Sequence, residues 1–70
     1  MKPRIEPPLP NPPRYTIWGV NPDCQGVGEE AGGITRRNGM WVFDQNQEVC
    51  LTAETMRFAA DMLDRLNSQI

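Results

Sequence analysis

Ile34-Thr35-Arg36-Arg37-Asn38-Gly39-Met40-Trp41-Val42-Phe43 is the segment of this chain whose local chemistry dictates a structure. Asn-Gly between two β-prone runs predicts a two-residue type I′ hairpin turn, because both residues tolerate positive φ. Counting outward from the turn sets Arg37 opposite Met40, Arg36 opposite Trp41, Thr35 opposite Val42 and Ile34 opposite Phe43. One face of the hairpin then carries Ile34, Arg36, Trp41 and Phe43.

Upstream, Arg14 to Val20 is rich in β-branched and aromatic residues and reads as a first strand, ended by the turn former Asn21-Pro22-Asp23. Tyr15, Ile17 and Gly19 share one face, and Thr16, Trp18 and Val20 the other. Cys24 to Gly33 holds four of the six glycines and reads as a long loop in which Glu29 and Glu30 are solvated. Its Gly26-x-Gly28 start lacks the following βαβ unit that a dinucleotide site needs. Downstream, Asp44 to Gln47 is turn-like and Glu48 to Leu51 reads as a short last strand that buries Cys50.

Thr52 is a suitable helix N-cap, with Glu54 in the first turn and a hydrophobic staple expected between Leu51 and Met56. The helix is predicted from about Ala53 to Asn67. Met56, Ala59, Ala60, Leu63 and Leu66 form the face assigned to the sheet, and Phe58 with Met62 a second stripe. Arg57 with Asp61 and Asp61 with Arg65 are i, i+4 pairs on the wet side.

Residues 1–13 contain six of the seven prolines. Lacking amide donors and with φ fixed, this segment can enter neither a helix interior nor a central strand, and it reads as an extended arm. Arg4-x-x-Pro7-x-x-Pro10 matches the pattern read by SH3 grooves, a short motif that any proline-rich tail with an arginine produces. Ile5 and Leu9 are the apolar side chains by which the arm would dock. The fold class expected is α+β: a small antiparallel β-meander of three to four strands with one C-terminal helix packed on it, residues 14–70, preceded by the Pro-rich arm, residues 1–13.

Seventy residues with net charge −2 and no histidine set the functional bounds. A core this small supplies about 3–5 kcal/mol of net stability. A catalytic pocket of roughly 300 Å³ or more is hard to carve from it, and the commonest general base and metal ligand is absent. The chain is therefore expected to be no enzyme and to hold no cofactor or metal. Cys24 and Cys50 form no C-x-x-C unit; a bridge between them would close a loop worth roughly 3 kcal/mol, but only after export. No apolar run has signal-peptide or membrane-spanning length, so the expected site is the cytoplasm, with no membrane partner and both thiols reduced.

Tyr15, Ile17, Trp18, Val20, Met40, Trp41, Val42, Phe43, Phe58 and Met62 exceed what one helix on one small sheet covers, which predicts a binding surface or a homodimer seam. Arg36, Arg37, Met40 and Trp41 at the hairpin tip, with Trp18, supply the Arg and Trp vocabulary of protein hot spots. Arg4, Leu9 and Arg14 would add contacts from the arm and its junction. A basic, aromatic ribbon also suits nucleic acid, as a secondary partner given the negative net charge.

An acidic, histidine-free domain of this size, with a proline-rich arm, a small sheet and one C-terminal helix, resembles the small proteins that bacteriophages make to seize host machinery. That class includes proteins that bind bacterial RNA polymerase, inhibiting transcription or causing antitermination, and inhibitors of host defence nucleases. The resemblance lies in size and architecture and carries over no residue. It implies a regulator binding a large host protein, RNA polymerase first, in the host cytoplasm. The alternatives are a nucleic-acid-binding or nuclease-inhibiting module and a small homo-oligomeric structural protein.

Overall fold

The computed structural model describes residues 2–8, 13–20 and 28–69. β1 (Arg4–Ile5), β2 (Arg14–Val20), β3 (Gly28–Arg37) and β4 (Met40–Gln45) form one antiparallel sheet in that order, followed by α1 (Ala53–Asn67). The hairpin has the register its turn dictates, from Arg37 opposite Met40 to Ile34 opposite Phe43, with Asn38 at φ 51° and Gly39 at φ 80°. Ile17, Ala31, Ile34 and Ala59 are fully buried between sheet and helix, and Ile5, Tyr15, Phe43, Leu63 and Leu66 pack around them.

The fourth strand is not Glu48 to Leu51, which is a turn and irregular segment; it comes from the arm. Arg4 and Ile5 pair with Trp18 and Ile17, and the Glu6 N–H donates to the Thr16 carbonyl at 2.9 Å. An edge position is where a segment flanked by prolines can join a sheet, since half its amides face away from the ladder. Asn46 explains why the chain leaves the sheet after β4. Its N–H donates to the Ala31 carbonyl and its Nδ2 to the Glu30 carbonyl, while its Oδ1 accepts from the Glu48 N–H and turns the chain away. Cys50, expected in a buried strand, is consequently an exposed free thiol; Cys24 lies outside the described residues.

The glycine-rich stretch also departs from its sequence expectation. Gly28 to Gly33 is the first half of the ten-residue β3, not a loop, so Glu29 and Glu30 are strand residues. Between Ile17 and Trp18 the β2–β3 register shifts, with Gly32 opposite Ile17 and Glu30 opposite Trp18, leaving Ala31 as the extra residue of a bulge. Gly32, at φ 151°, brings its backbone against the Asp44 carbonyl and the Phe43 ring, a position where a Cβ has no room. Close backbone approach, not weak strand propensity, is what these glycines record.

Thr52 caps α1 as expected, its hydroxyl accepting from the Thr55 N–H. The helix is, however, rolled from the expected face toward the Phe58–Met62 stripe, with Ala59, Leu63 and Leu66 still turned inward. Thr55 and Ala59 are buried, with Phe58 and Met62 packed at the core, whereas Met56 and Ala60 are exposed. The cause is Thr55. Its Oγ1 accepts from the Val20 N–H at 3.2 Å and hydrogen-bonds Thr52 Oγ1 at 2.9 Å, so a polar side chain sits at the helix–sheet contact, in the space that Gly19 leaves open. Neither Arg57–Asp61 nor Asp61–Arg65 closes to an ion pair: the three pairs among the described residues are Arg4–Glu6, Arg14–Glu30 and Arg37–Asp44. The expected surplus of uncovered apolar residues also shrinks. Among the described residues only Met40 (57 %) and Met56 (51 %) are large hydrophobics left exposed.

Candidate functional site

The β4 strand alternates, so the hairpin tip presents its residues to two faces. Arg36 and Trp41 lie on the helix side, with the Arg36 guanidinium 5.7 Å from the Trp41 ring centroid. Trp41 is not the open anchor expected of it. It is half-buried, edge-on to Tyr15 with centroids 5.4 Å apart, and its backbone is clamped by the C-terminal residue of α1. Asn67 accepts the Trp41 N–H on Oδ1 at 2.9 Å and donates Nδ2 to the Trp41 carbonyl at 3.1 Å, a side-chain amide standing where a neighbouring strand's peptide would stand. Asn67→Ala is expected to cost about 1–2 kcal/mol, with the Trp41 amide proton exchanging faster by an amount that exceeds the global loss of stability.

Met40 and Arg37 occupy the opposite, outer face. Arg37 is committed to Asp44 at 2.8 Å, and Asp44 also accepts from Thr35 Oγ1 at 3.2 Å. Further along that face, Arg14 lies flat over Gly33, donating to Glu30 at 2.9 Å and to Thr16 Oγ1 at 3.1 Å. Arg4 stands over the Trp18 ring at 5.5 Å and near Glu6 at 3.8 Å. Trp18 Nε1 is buried with no hydrogen-bond partner. Arg4, Arg14, Trp18, Arg37 and Met40 are thus gathered on the outer face, Arg36 and Trp41 are on the helix side, and Leu9 lies outside the described residues. Every arginine on the outer face has a carboxylate of its own, which leaves little free positive charge there for a phosphate backbone.

Sequence reasoning missed a groove. Phe43, Gln45, Leu51, Met56, Ala59, Ala60 and Leu63 line an apolar cleft of 250 Å³ between the β4 edge and α1. Placing Met56 and Ala60 in the core hid it; the signal that would have revealed it is Thr55 opposite a glycine. A second cleft of 360 Å³ lies between the arm residues Lys2 and Pro3 and the helix residues Glu54, Arg57, Phe58 and Asp61. Among the described residues no group of three or more Cys, Asp or Glu is placed to hold a metal ion, and no helix is long and apolar enough to cross a membrane. No protein-family model, curated protein or solved structure matches the chain.

Proposed function

We propose that this chain is a non-enzymatic interaction protein that regulates a large partner enzyme by occupying part of its surface. A bacterial RNA polymerase is the first candidate and transcription the process modulated. The observation that carries this reading is the hairpin tip. Met40 is more than half exposed beside the turn of a hairpin whose next residue, Trp41, is held by Asn67 and Tyr15, and Arg36 is exposed on the other face of the tip. A rigid tip that presents a protruding methionine on one face and an exposed arginine on the other has the composition of an interface, and rigidity lowers the entropy lost on docking. The bacteriophage origin rests on the resemblance in size and architecture. Nucleic acid is the weaker partner class, because Arg37 and Arg14 are neutralised by Asp44 and Glu30.

The test is promoter-directed RNA synthesis by a purified bacterial RNA polymerase with the full chain added, paired with direct binding of the two. The chain is expected to change transcript yield. Met40→Glu with Arg36→Glu is expected to weaken that effect by about tenfold or more, with the melting temperature shifted by no more than a few degrees, as for other exposed substitutions. Absence of binding to the polymerase sinks the polymerase reading.

A further inference from the structure

We propose that the outer edge of β4 at Phe43 and Gln45, with the apolar groove beside it, is a docking site for an extended peptide segment of a partner. The segment carries a Lys or Arg between two apolar residues and adds as a fifth strand.

The phase of the β4 ladder sets which groups are available. In a hairpin closed by a two-residue turn, alternate residues of each strand point their N–H and C=O inward to the partner strand and outward to the edge. The Trp41 N–H and C=O point outward, since both are taken by Asn67, and the Asn46 N–H points inward, to the Ala31 carbonyl. Phe43 and Gln45 therefore turn an N–H and a C=O each to the outer edge, where nothing among the described residues meets them. The amide of Asn67 already satisfies the position before them as a strand would. The edge continues that interaction with a peptide backbone as its natural complement.

Side-chain alternation then specifies the segment. Residues of an added antiparallel strand opposite Phe43 and Gln45 point to the helix side, because directly opposed residues share a face. That side is the groove whose lining includes Leu51, the exposed Met56, Ala60 and Leu63, which takes aliphatic side chains. The residue between them faces outward opposite Asp44, whose side chain is 46 % exposed; Arg37 and Thr35 Oγ1 both take its Oδ2, so Oδ1 is the acceptor for an added cation. A cation there is complementary to it. A second copy of this chain is a poor occupant by the same geometry. Two-fold pairing of Phe43 with Gln45 sets two Asp44 carboxylates face to face, a like-charge opposition that protects the edge against self-association.

This site is separate from the hairpin tip, so it stands or falls independently of RNA polymerase. The probe is a blocked synthetic nonapeptide with Leu-Lys-Leu at its centre and threonines around it, titrated into the ¹⁵N-labelled full chain. The amide resonances of Phe43 and Gln45 are expected to move most. The same peptide with Leu-Glu-Leu is expected to bind about tenfold or more weaker, and one with both leucine amides N-methylated to show no binding at the edge. Gln45→Pro removes an outward N–H that no strand uses, and Ala60→Glu places a charge in the groove from an exposed position. Each is expected to weaken the Leu-Lys-Leu peptide by about tenfold or more and to keep the melting temperature within a few degrees of wild type. If Gln45→Pro fails to fold, Ala60→Glu carries the comparison. No binding at millimolar peptide, equal binding of the Leu-Glu-Leu peptide, or unchanged binding by the Ala60→Glu chain overturns the proposal. So does a concentration-dependent dimer that this variant dissolves, which assigns the edge to a second copy.

Discussion

Gly32→Ala is expected to leave the chain largely unfolded at room temperature, with the dispersed amide spectrum collapsed and the far-ultraviolet circular dichroism that of a disordered chain. Two costs coincide at this residue. Its φ of 151° lies where side chains other than hydrogen are strained, at about 1–3 kcal/mol. A Cβ would also meet the Asp44 carbonyl, a backbone atom held by the β3–β4 ladder, as well as the Phe43 ring at 3.0 Å. The carbonyl moves only if the two strands part. Against a total stability of about 3–5 kcal/mol for a core of this size, no margin remains. Gly33→Ala is the matched control. The atoms met there are the guanidinium end of Arg14, which can swing clear, so this variant is expected to fold and to lose mainly the Arg14–Glu30 pair.

Gly19→Ala is expected to destabilise by about 1–3 kcal/mol through overpacking, and Thr55→Ala in the same chain to relieve much of that loss. A Cβ at Gly19 would lie 2.6 Å from Thr55 Cγ2 and 2.9 Å from Thr55 Oγ1, and Thr55 is fully buried between strand and helix. Thr55→Ala alone also destabilises, because the Val20 N–H loses its acceptor and Thr52 its hydroxyl partner. Urea unfolding of the two single variants and the double gives the coupling directly. A favourable interaction of about 1 kcal/mol or more is expected for residues in contact, and additivity would place the helix elsewhere on the sheet.

These two glycines also mark where the sequence stops being legible. The hairpin and the helix limits follow from signals a few residues long: Asn38-Gly39 for the turn, Thr52 with Glu54 for the helix start. Their structure matches because the decisive interactions are local. The first half of β3 is different. Gly28 to Gly33 has the composition of a loop, and what makes it a strand is pairing with β2 on one side and β4 on the other, information held in distant segments. The arm is the same case: nothing near Arg4 and Ile5 announces that Trp18 and Ile17 will pair with them.

The candidate surfaces divide along that line. Met40 and Arg36 were readable as exposed tip residues because the hairpin register alone places them. The groove along β4 was not, because it depends on the roll of the helix. A count of apolar residues ranks Met56 above Thr55 for burial, and a hydroxyl with two hydrogen-bond partners facing a glycine reverses that order. The missing last strand acts in the same direction. With Glu48 to Leu51 turned away by Asn46, β4 rather than a fifth segment is the sheet's boundary.

Asn67 gives the molecule a mechanical property as well. The last residue of α1 grips Trp41, the second residue of β4, through a donor and an acceptor at once, which ties the hairpin tip to the helix terminus. A load applied at Met40 is carried along the helix to its other end, where Thr55 holds β2 through Val20. Peeling the hairpin open from its turn therefore also has to break the two Asn67 hydrogen bonds.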